Sequence, residues 1–226
     1  MKAASGSPAA LPHDVRVDVH ARTAANRRLL ADFFDGLDDA QLGTQSLCPA
    51  WTVRDVLGHL VASMTGSLGG LLVDVVRAGG SVNRANASMA RRTAQRPVAE
   101  LTAVLREQAD EHGRAPGVGP MGQLADGCLH LRDCARPLGL AADVGLDDWR
   151  TVLDWLPGGV PGLVPRRRVA GLSLRATDQQ WSWGSGAEVV GCSEALAMAV
   201  AGRPDALRDL TGSGVDVLRS RLEGRH

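Results

Sequence analysis

The chain has 226 residues, 44% of them hydrophobic, which is enough for one large domain or for a helical bundle with a small second domain. Its 25 Lys and Arg balance its 25 Asp and Glu, so no basic excess is available to attract a nucleic-acid backbone or an anionic membrane. We therefore expect a small-molecule partner, no nucleic-acid or membrane binding, and a monomer or weak homodimer.

Cellular context is indicated by the N-terminus and the cysteines. Residues 1–13 are rich in Ala, Ser, Pro and Gly without the apolar run of a signal peptide, which predicts a flexible tail. The longest apolar runs fall well short of the roughly 20 residues that cross a bilayer. The four cysteines form no C-x-x-C motif, and Cys128 and Cys134 have the character of small buried hydrophobic residues. These features predict a soluble cytoplasmic protein without disulfides.

Four helices are predicted in the first two thirds of the chain. They span about 14–36, from Thr52 to about Ala78, from Pro97 to just before Gly113, and about 121–136 ahead of Pro137. The second helix has the clearest signals, because Thr52 and Asp55 resemble a capping box and apolar residues recur at helical spacing behind them. Helices of this length with loops between them indicate an up-and-down bundle over 14–156.

After about residue 157 the composition changes to a Gly- and Pro-rich linker. Alternating apolar residues then predict strands at 172–176, 181–183 and 188–190, with Gly184-Ser185-Gly186 as a hairpin turn between the last two. A helix capped by Ser193 runs to Ala201, and a last helix spans Val215–Leu222. Residues 157–226 are therefore predicted to form a small α+β C-terminal domain.

A possible metal site is split between two of the predicted helices. Asp126 and His130 lie four residues apart, so their side chains lie on one helix face. His59 would come from the second helix. Two imidazoles and a carboxylate are the ligands of a catalytic divalent metal that keeps one position open.

Spacing alone leaves a structural alternative to metal binding for each of these residues. The helix face that carries Asp126 and His130 is equally well interpreted as a solvated polar face, and His59 flanks the apolar stripe of its helix, where a lone histidine is usually at the surface. Asp133 either holds an imidazole N–H behind the ligand or forms a surface ion pair with Arg132 or Arg136. The sequence contains no G-x-S-x-G or Walker motif.

The surrounding motifs resemble the mycothiol-dependent maleylpyruvate isomerase family of the DinB-like superfamily of four-helix bundles. The similarity rests on the segments 48–60 (CPAWTVRDVLGHL), 130–133 (HLRD) and 136–140 (RPLGL), and on Ala176-Thr177-Asp178, Trp181 and Ala201-Gly202-Arg203-Pro204 near the C-terminus. These segments cover nearly the whole chain in the family's order. The resemblance implies a DinB-like bundle followed by a small α+β domain.

For the site, the resemblance implies that His59 and His130 bind a divalent metal, with Zn²⁺ as the ion expected from this family and mycothiol as the thiol cofactor. The carboxylate ligand is Glu in the isomerase proper and Asp126 here, one methylene shorter. Arg203 lies where the family's C-terminal domain offers an arginine to the substrate carboxylate. The implied reaction is cis-trans isomerisation or S-transfer on a small electrophilic substrate, with or without a carboxylate.

Three hypotheses about function stay open at this point. The first is a mycothiol-dependent isomerase or transferase. The second is a hydrolase or lyase on the same fold that uses metal-bound water. The third is a binding or regulatory protein that kept the bundle and lost the chemistry, because a fold does not fix a function.

Overall fold

The structure is a computed structural model that describes residues 13–111, 119–160 and 163–224. The predicted flexible tail over 1–13 lies outside the described residues, except for His13, which begins the first helix. No helix in the described ranges is both long enough and apolar enough to cross a membrane.

The chain is mainly helical, as predicted. Its α-helices are α1 (His13–Asp35), α2 (Asp39–Leu42), α3 (Val53–Thr65), α4 (Leu68–Arg77), α5 (Val82–Thr93), α6 (Val98–Glu107), α7 (Gly119–Leu138), α8 (Leu146–Trp155), α9 (Ser193–Ala201) and α10 (Val215–Glu223). Helix α1 packs against α6 and α7, and α3 packs against the same two helices. This four-helix arrangement buries Leu30, Phe34, Leu57, Leu101 and Leu131, which supply the apolar area that drives its formation.

The predicted second helix is wrong in its length. Gly66 adopts an extended backbone (φ −70°, ψ 152°) that ends α3, and the hydroxyl of Ser67 then caps α4 by accepting from the Gly70 N–H. Helices α2, α5 and α8 were not predicted. Helix α5 has a weak apolar signal because it buries mainly small side chains such as Ala85 and Ala90.

Pro137 does not stop α7 where the sequence predicted. The helix runs through it to Leu138, and Gly139 ends it in the left-handed region (φ 65°). A proline lacks an N–H, so it leaves the carbonyl four residues earlier, that of Asp133, without a helical donor. The N–H of Leu47 donates to this carbonyl instead (2.9 Å). The proline thereby attaches the loop that precedes α3 to the middle of α7.

The C-terminal part contains a three-stranded sheet, as predicted, formed by β1 (Leu172–Ala176), β2 (Ser182–Gly184) and β3 (Ala187–Gly191). The order is β2-β1-β3, with β2 antiparallel and β3 parallel to β1. The prediction of a hairpin turn at 184–186 is wrong, because β2 and β3 pair with opposite edges of β1. Ser193 does not cap α9 either. The carboxylate of Asp178 accepts from the Ser193 N–H (3.0 Å) and serves as the cap.

The C-terminal part is joined to α7 by apolar and ionic contacts. One hydrophobic cluster contains Leu124 and Cys128 of α7, Trp149 of α8 and Leu196 of α9. The guanidinium of Arg136 donates to three carboxylates of the C-terminal part, those of Glu194, Asp205 and Asp209. The division into 14–156 and 157–226 stays a prediction, and side chains from both ranges share this core.

A glycine next to His59 permits close packing of α3 against α5. A Cβ atom at Gly58 would overlap the carbonyl oxygen of Ala90 and lie 2.8 Å from the backbone nitrogen of Ala94. Both obstacles are backbone atoms, so they cannot move aside without shifting α5. The spacing between these two helices therefore depends on the absence of a side chain at position 58.

We expect Gly58→Ala to lower the free energy of unfolding by about 1–3 kcal/mol, the usual cost of forcing extra atoms into a packed interior. Gly69→Ala is the matched control, because a Cβ there meets nothing within 4 Å, and it should stabilise α4 by up to about 1 kcal/mol through helix propensity. Urea denaturation of both variants measures the difference. Equal stability of the two variants would contradict the close approach of α3 and α5.

Candidate metal centre

The structure brings together the three residues that the sequence singled out as metal ligands. His59 lies in the middle of α3, and His130 lies in α7 with Asp126 one turn before it. Both histidines are 7% exposed, whereas the side chain of Asp126 is 35% exposed. The two imidazoles are thus inside the bundle, and the carboxylate faces an opening to solvent. The interpretation of this α7 face as a solvated polar face is wrong for His130 and Asp133.

The spacing of the donor atoms suits one small cation. His59 Nε2 lies 3.7 Å from Asp126 Oδ2, and His130 Nε2 lies 3.3 Å from Asp126 Oδ1. One donor atom from each residue lies within 4.8 Å of the others. Ligands about 2.0–2.1 Å from a tetrahedral zinc ion stand about 3.3 Å apart, so small shifts of these side chains would accommodate the ion.

The electrostatics of the cluster favour an ionised carboxylate. Burial by itself would raise the pKa of Asp126, but attraction and hydrogen bonding to His130 and His59 outweigh it and hold that pKa far below its usual range. Burial would likewise lower the pKa of His130, and attraction to Asp126 raises it instead. The negatively charged carboxylate oxygens between the two imidazoles would attract a cation.

A buried carboxylate orients the imidazole of His130. Asp133 is fully buried, and its Oδ2 accepts a hydrogen bond from His130 Nδ1 (2.9 Å). This bond places a ring proton on Nδ1, so Nε2, which faces Asp126, is the ring nitrogen that could bind a metal ion, and carboxylates commonly support metal-binding histidines in this way. Of the alternatives raised by the sequence, the surface ion pair of Asp133 with Arg132 or Arg136 is wrong, because Asp133 pairs with Arg203.

His59 is held differently from His130. Its Nδ1 is buried and has no hydrogen-bond partner among the described residues. The ring instead stacks on Trp51, with centroids 4.6 Å apart and planes inclined by 25°, and it meets His130 edge-on at 4.9 Å. Stacking therefore supplies the orientation that a hydrogen bond supplies to His130. Sequence reasoning used Trp51 only as part of a family motif and assigned it no role.

A second cluster shares His130 on its other side. Cys48 Sγ lies 3.2 Å from Asp133 Oδ2 and 3.8 Å from His130 Nδ1, which brings these three residues within ligand distance of one another. The guanidinium of Arg203 already occupies the Asp133 carboxylate, and its positive charge opposes a cation there. Among the described residues, no arginine or lysine forms an ion pair with Asp126, so the cluster of His59, Asp126 and His130 is the better candidate for a metal site.

The guanidinium of Arg203 is hydrogen-bonded to other groups of the protein. Its Nε donates to Asp133 Oδ1 (3.0 Å), its Nη2 to Asp133 Oδ2 (2.7 Å) and its Nη1 to the carbonyl of Ala201 (3.1 Å). The attraction of Asp133 outweighs the effect of burial and raises the pKa of Arg203. The predicted contact of Arg203 with a substrate carboxylate stays a prediction, and in this structure three of its five N–H groups serve the protein.

Comparison of the sequence with known protein families identifies the family of this chain. Residues 23–178 match the sequence model of the family described as Mycothiol maleylpyruvate isomerase N-terminal domain. The chain belongs to this family. Membership confirms the family predicted from the sequence and the enzyme class that goes with it, a mycothiol-dependent isomerase or transferase. No curated protein matches the chain in sequence.

Two solved structures resemble the fold over most of its length. One is a crystal structure of the mycothiol-dependent maleylpyruvate isomerase, 17% identical, which covers 90% of this chain and 93% of its own with a TM-score of 0.49. The other is a histidine-to-alanine mutant of the mycothiol-dependent maleylpyruvate isomerase, 16% identical over the same shares of the two chains, with a TM-score of 0.41.

Because Arg203 neutralises a buried carboxylate, we expect Arg203→Met to lower the free energy of unfolding by about 3–5 kcal/mol, the cost of leaving a buried charge unpaired. Arg208→Met is the matched control in the same segment, since Arg208 is 63% exposed and its loss should cost at most about 1 kcal/mol. Chemical denaturation of both variants tests this. A small effect at Arg203 would show that Asp133 does not need its cation.

Burial should also divide the four cysteines, all free thiols, by reactivity. Cys128 and Cys134 are fully buried, and burial raises the pKa of both thiols, so little reactive thiolate forms. Cys48 and Cys192 are partly exposed. In native protein, iodoacetamide should modify Cys48 and Cys192 first, as followed by mass spectrometry. Early modification of Cys128 or Cys134 would contradict their burial.

Proposed function

We propose that the protein is a metal-dependent, mycothiol-using enzyme of the isomerase or S-transferase type, with a divalent ion, Zn²⁺ in the simplest case, held by His59, Asp126 and His130. The proposal is carried by one observation, the convergence of these three donors from two helices at distances that suit one cation. Family membership supports mycothiol as the thiol cofactor.

The donor set fits a catalytic ion better than a structural one. Three protein ligands leave one position of a tetrahedral ion open. Asp126, the exposed member of the set, marks the side from which a thiol would reach that position. A bound zinc ion lowers the pKa of a coordinating thiol, which supplies thiolate at neutral pH.

The protein's own residues orient the two histidines. Asp133 keeps the Nε2 lone pair of His130 directed inward, and Trp51 stacks over His59. Arg203 has two candidate roles. It positions the imidazole of His130 through Asp133, or it turns toward a bound substrate. Metal affinity and KM distinguish these roles of Arg203, because positioning affects the first and substrate contact the second.

The first test is metal analysis of the purified protein and of ligand variants. We expect one divalent ion per chain in the wild type and its loss in His59→Ala and His130→Ala. Asp126→Glu should retain the ion, because the longer side chain keeps the carboxylate. Inductively coupled plasma mass spectrometry measures the content, and calorimetric titration with mycothiol before and after EDTA treatment measures the dependence of thiol binding on the metal.

His20→Ala serves as a histidine control outside the cluster. Full retention of metal in the double variant of His59 and His130 would refute the assigned ligands. Metal without mycothiol binding would favour a hydrolase or lyase that uses metal-bound water. Neither metal nor mycothiol binding would favour a binding or regulatory protein.

A further inference from the structure

A small cleft that is partly open to solvent lies beside the candidate metal ligands. Its apolar wall is formed by side chains of α1, α3 and α6, namely Leu30, Leu60, Met64 and Leu105. Among the described residues that line it, the charged ones are Asp126 and Arg27. Asp126 belongs to the proposed metal site, whereas Arg27 has no role in that site.

Arg27 is a buried cation, 7% exposed, held by oxygen atoms that carry no formal charge. Its Nη1 donates to the main-chain carbonyls of Gln108 (3.0 Å), Ala109 (3.1 Å) and Glu111 (2.8 Å), and its Nη2 donates to Gln123 Oε1 (3.0 Å). No carboxylate among the described side chains lies within ion-pair distance of it. Burial without a counter-ion lowers the pKa of Arg27, in contrast to the raised pKa of Arg203 beside Asp133.

Capping the end of α6 accounts for only part of this guanidinium. The carbonyls beyond α6 all accept from Nη1, and a cation at a helix C-terminus is favourable. A guanidinium has five N–H donors, and those of Nε and the second N–H of Nη2 have no partner among the described residues. A capping role alone would not require the buried charge to line the cleft that Asp126 enters.

The net charge of the cleft favours an anionic ligand. Arg27 and Asp126 cancel, so a divalent ion on the histidines would leave the cleft with an excess of two positive charges. Arginine binds carboxylates through paired N–H donors, and a charge-assisted bond of this type is strong where water is excluded. The apolar wall suits a short carbon skeleton between the two charged ends.

We propose that Arg27, supported by Gln123, binds a carboxylate group of the substrate in this cleft. The position of that group beside the reacting centre rests on the proposed function, whereas the binding of a carboxylate by Arg27 does not depend on the metal. Arg27 would then hold one end of the bound molecule, and the apolar wall would lie along the part between Arg27 and Asp126. This assigns to Arg27 the role that sequence resemblance gave to Arg203.

The test is titration calorimetry with maleate, a four-carbon dicarboxylate, and with uncharged maleamide. Wild-type protein should bind maleate and discriminate against maleamide. Arg27→Gln should weaken maleate binding about tenfold or more, the loss expected for one charge-assisted contact. Arg28→Gln is the matched control, because Arg28 is the next residue, is 48% exposed and pairs with Asp110 at the surface. It should leave maleate binding unchanged.

Loss of the α6 cap could unfold Arg27→Gln, so Arg27→Lys and a crystal structure of wild-type protein with maleate complete the experiment. Lys keeps the cation but lacks the paired donors, and an intermediate affinity is expected. Maleate within hydrogen-bond distance of Arg27 would support the proposal. Maleate found elsewhere, or equal affinity of the wild type and a folded Arg27→Gln, would overturn it.

Repeating the titration after EDTA treatment separates this proposal from the metal site. Maleate binding that needs Arg27 but persists without metal would support the carboxylate site even if the assigned metal ligands fail. Metal content that depends on His59 and His130, with maleate binding that ignores Arg27, would keep the proposed function and refute this inference. Failure of wild-type protein to bind maleate at all would refute it as well.

Discussion

The buried carboxylate of Asp133 connects three parts of the molecule that the rest of the site depends on. It accepts from His130 in the same helix, from Arg203 after α9 and from the thiol of Cys48 in the loop before α3. Its main-chain carbonyl, freed by Pro137, holds that same loop through Leu47. One residue thus fixes the imidazole of His130, attaches the C-terminal part to α7 and anchors the loop that leads to Trp51.

Burying an isolated carboxylate is too costly to persist, so the position of Asp133 requires a cation from elsewhere in the chain. Arg203 supplies it with two donors to the two carboxylate oxygens. A site formed by bundle helices is therefore complete only with the C-terminal segment that carries Arg203. The charge of Arg203 also raises the cost of a cation in the Cys48 cluster, so a cation would be less disfavoured on the opposite side of His130.

Sequence periodicity predicted the bundle and the strands because apolar residues at helical or alternating spacing report burial directly. It did not predict α5, whose buried residues are small, and it joined α3 to α4 because a helix end at Gly66 is set by local backbone conformation. Residue type and spacing singled out His59, Asp126 and His130 as candidate metal ligands, and the structure brings their donor atoms together. The roles of Trp51, Arg27 and the Asp133–Arg203 pair depend on contacts between distant segments, which spacing within one helix cannot reveal.

The two arginines illustrate how burial assigns different roles to the same side chain. Both arginines lie near the cluster, Arg27 buried and Arg203 half-buried, and each could bind an anion by its chemistry. Arg203 already has an anion, because the protein provides Asp133. Arg27 has only carbonyl and amide oxygens around it, so its charge is balanced by dipoles and remains available to a ligand. An anionic substrate therefore gains more from Arg27, because binding there displaces no existing ion pair.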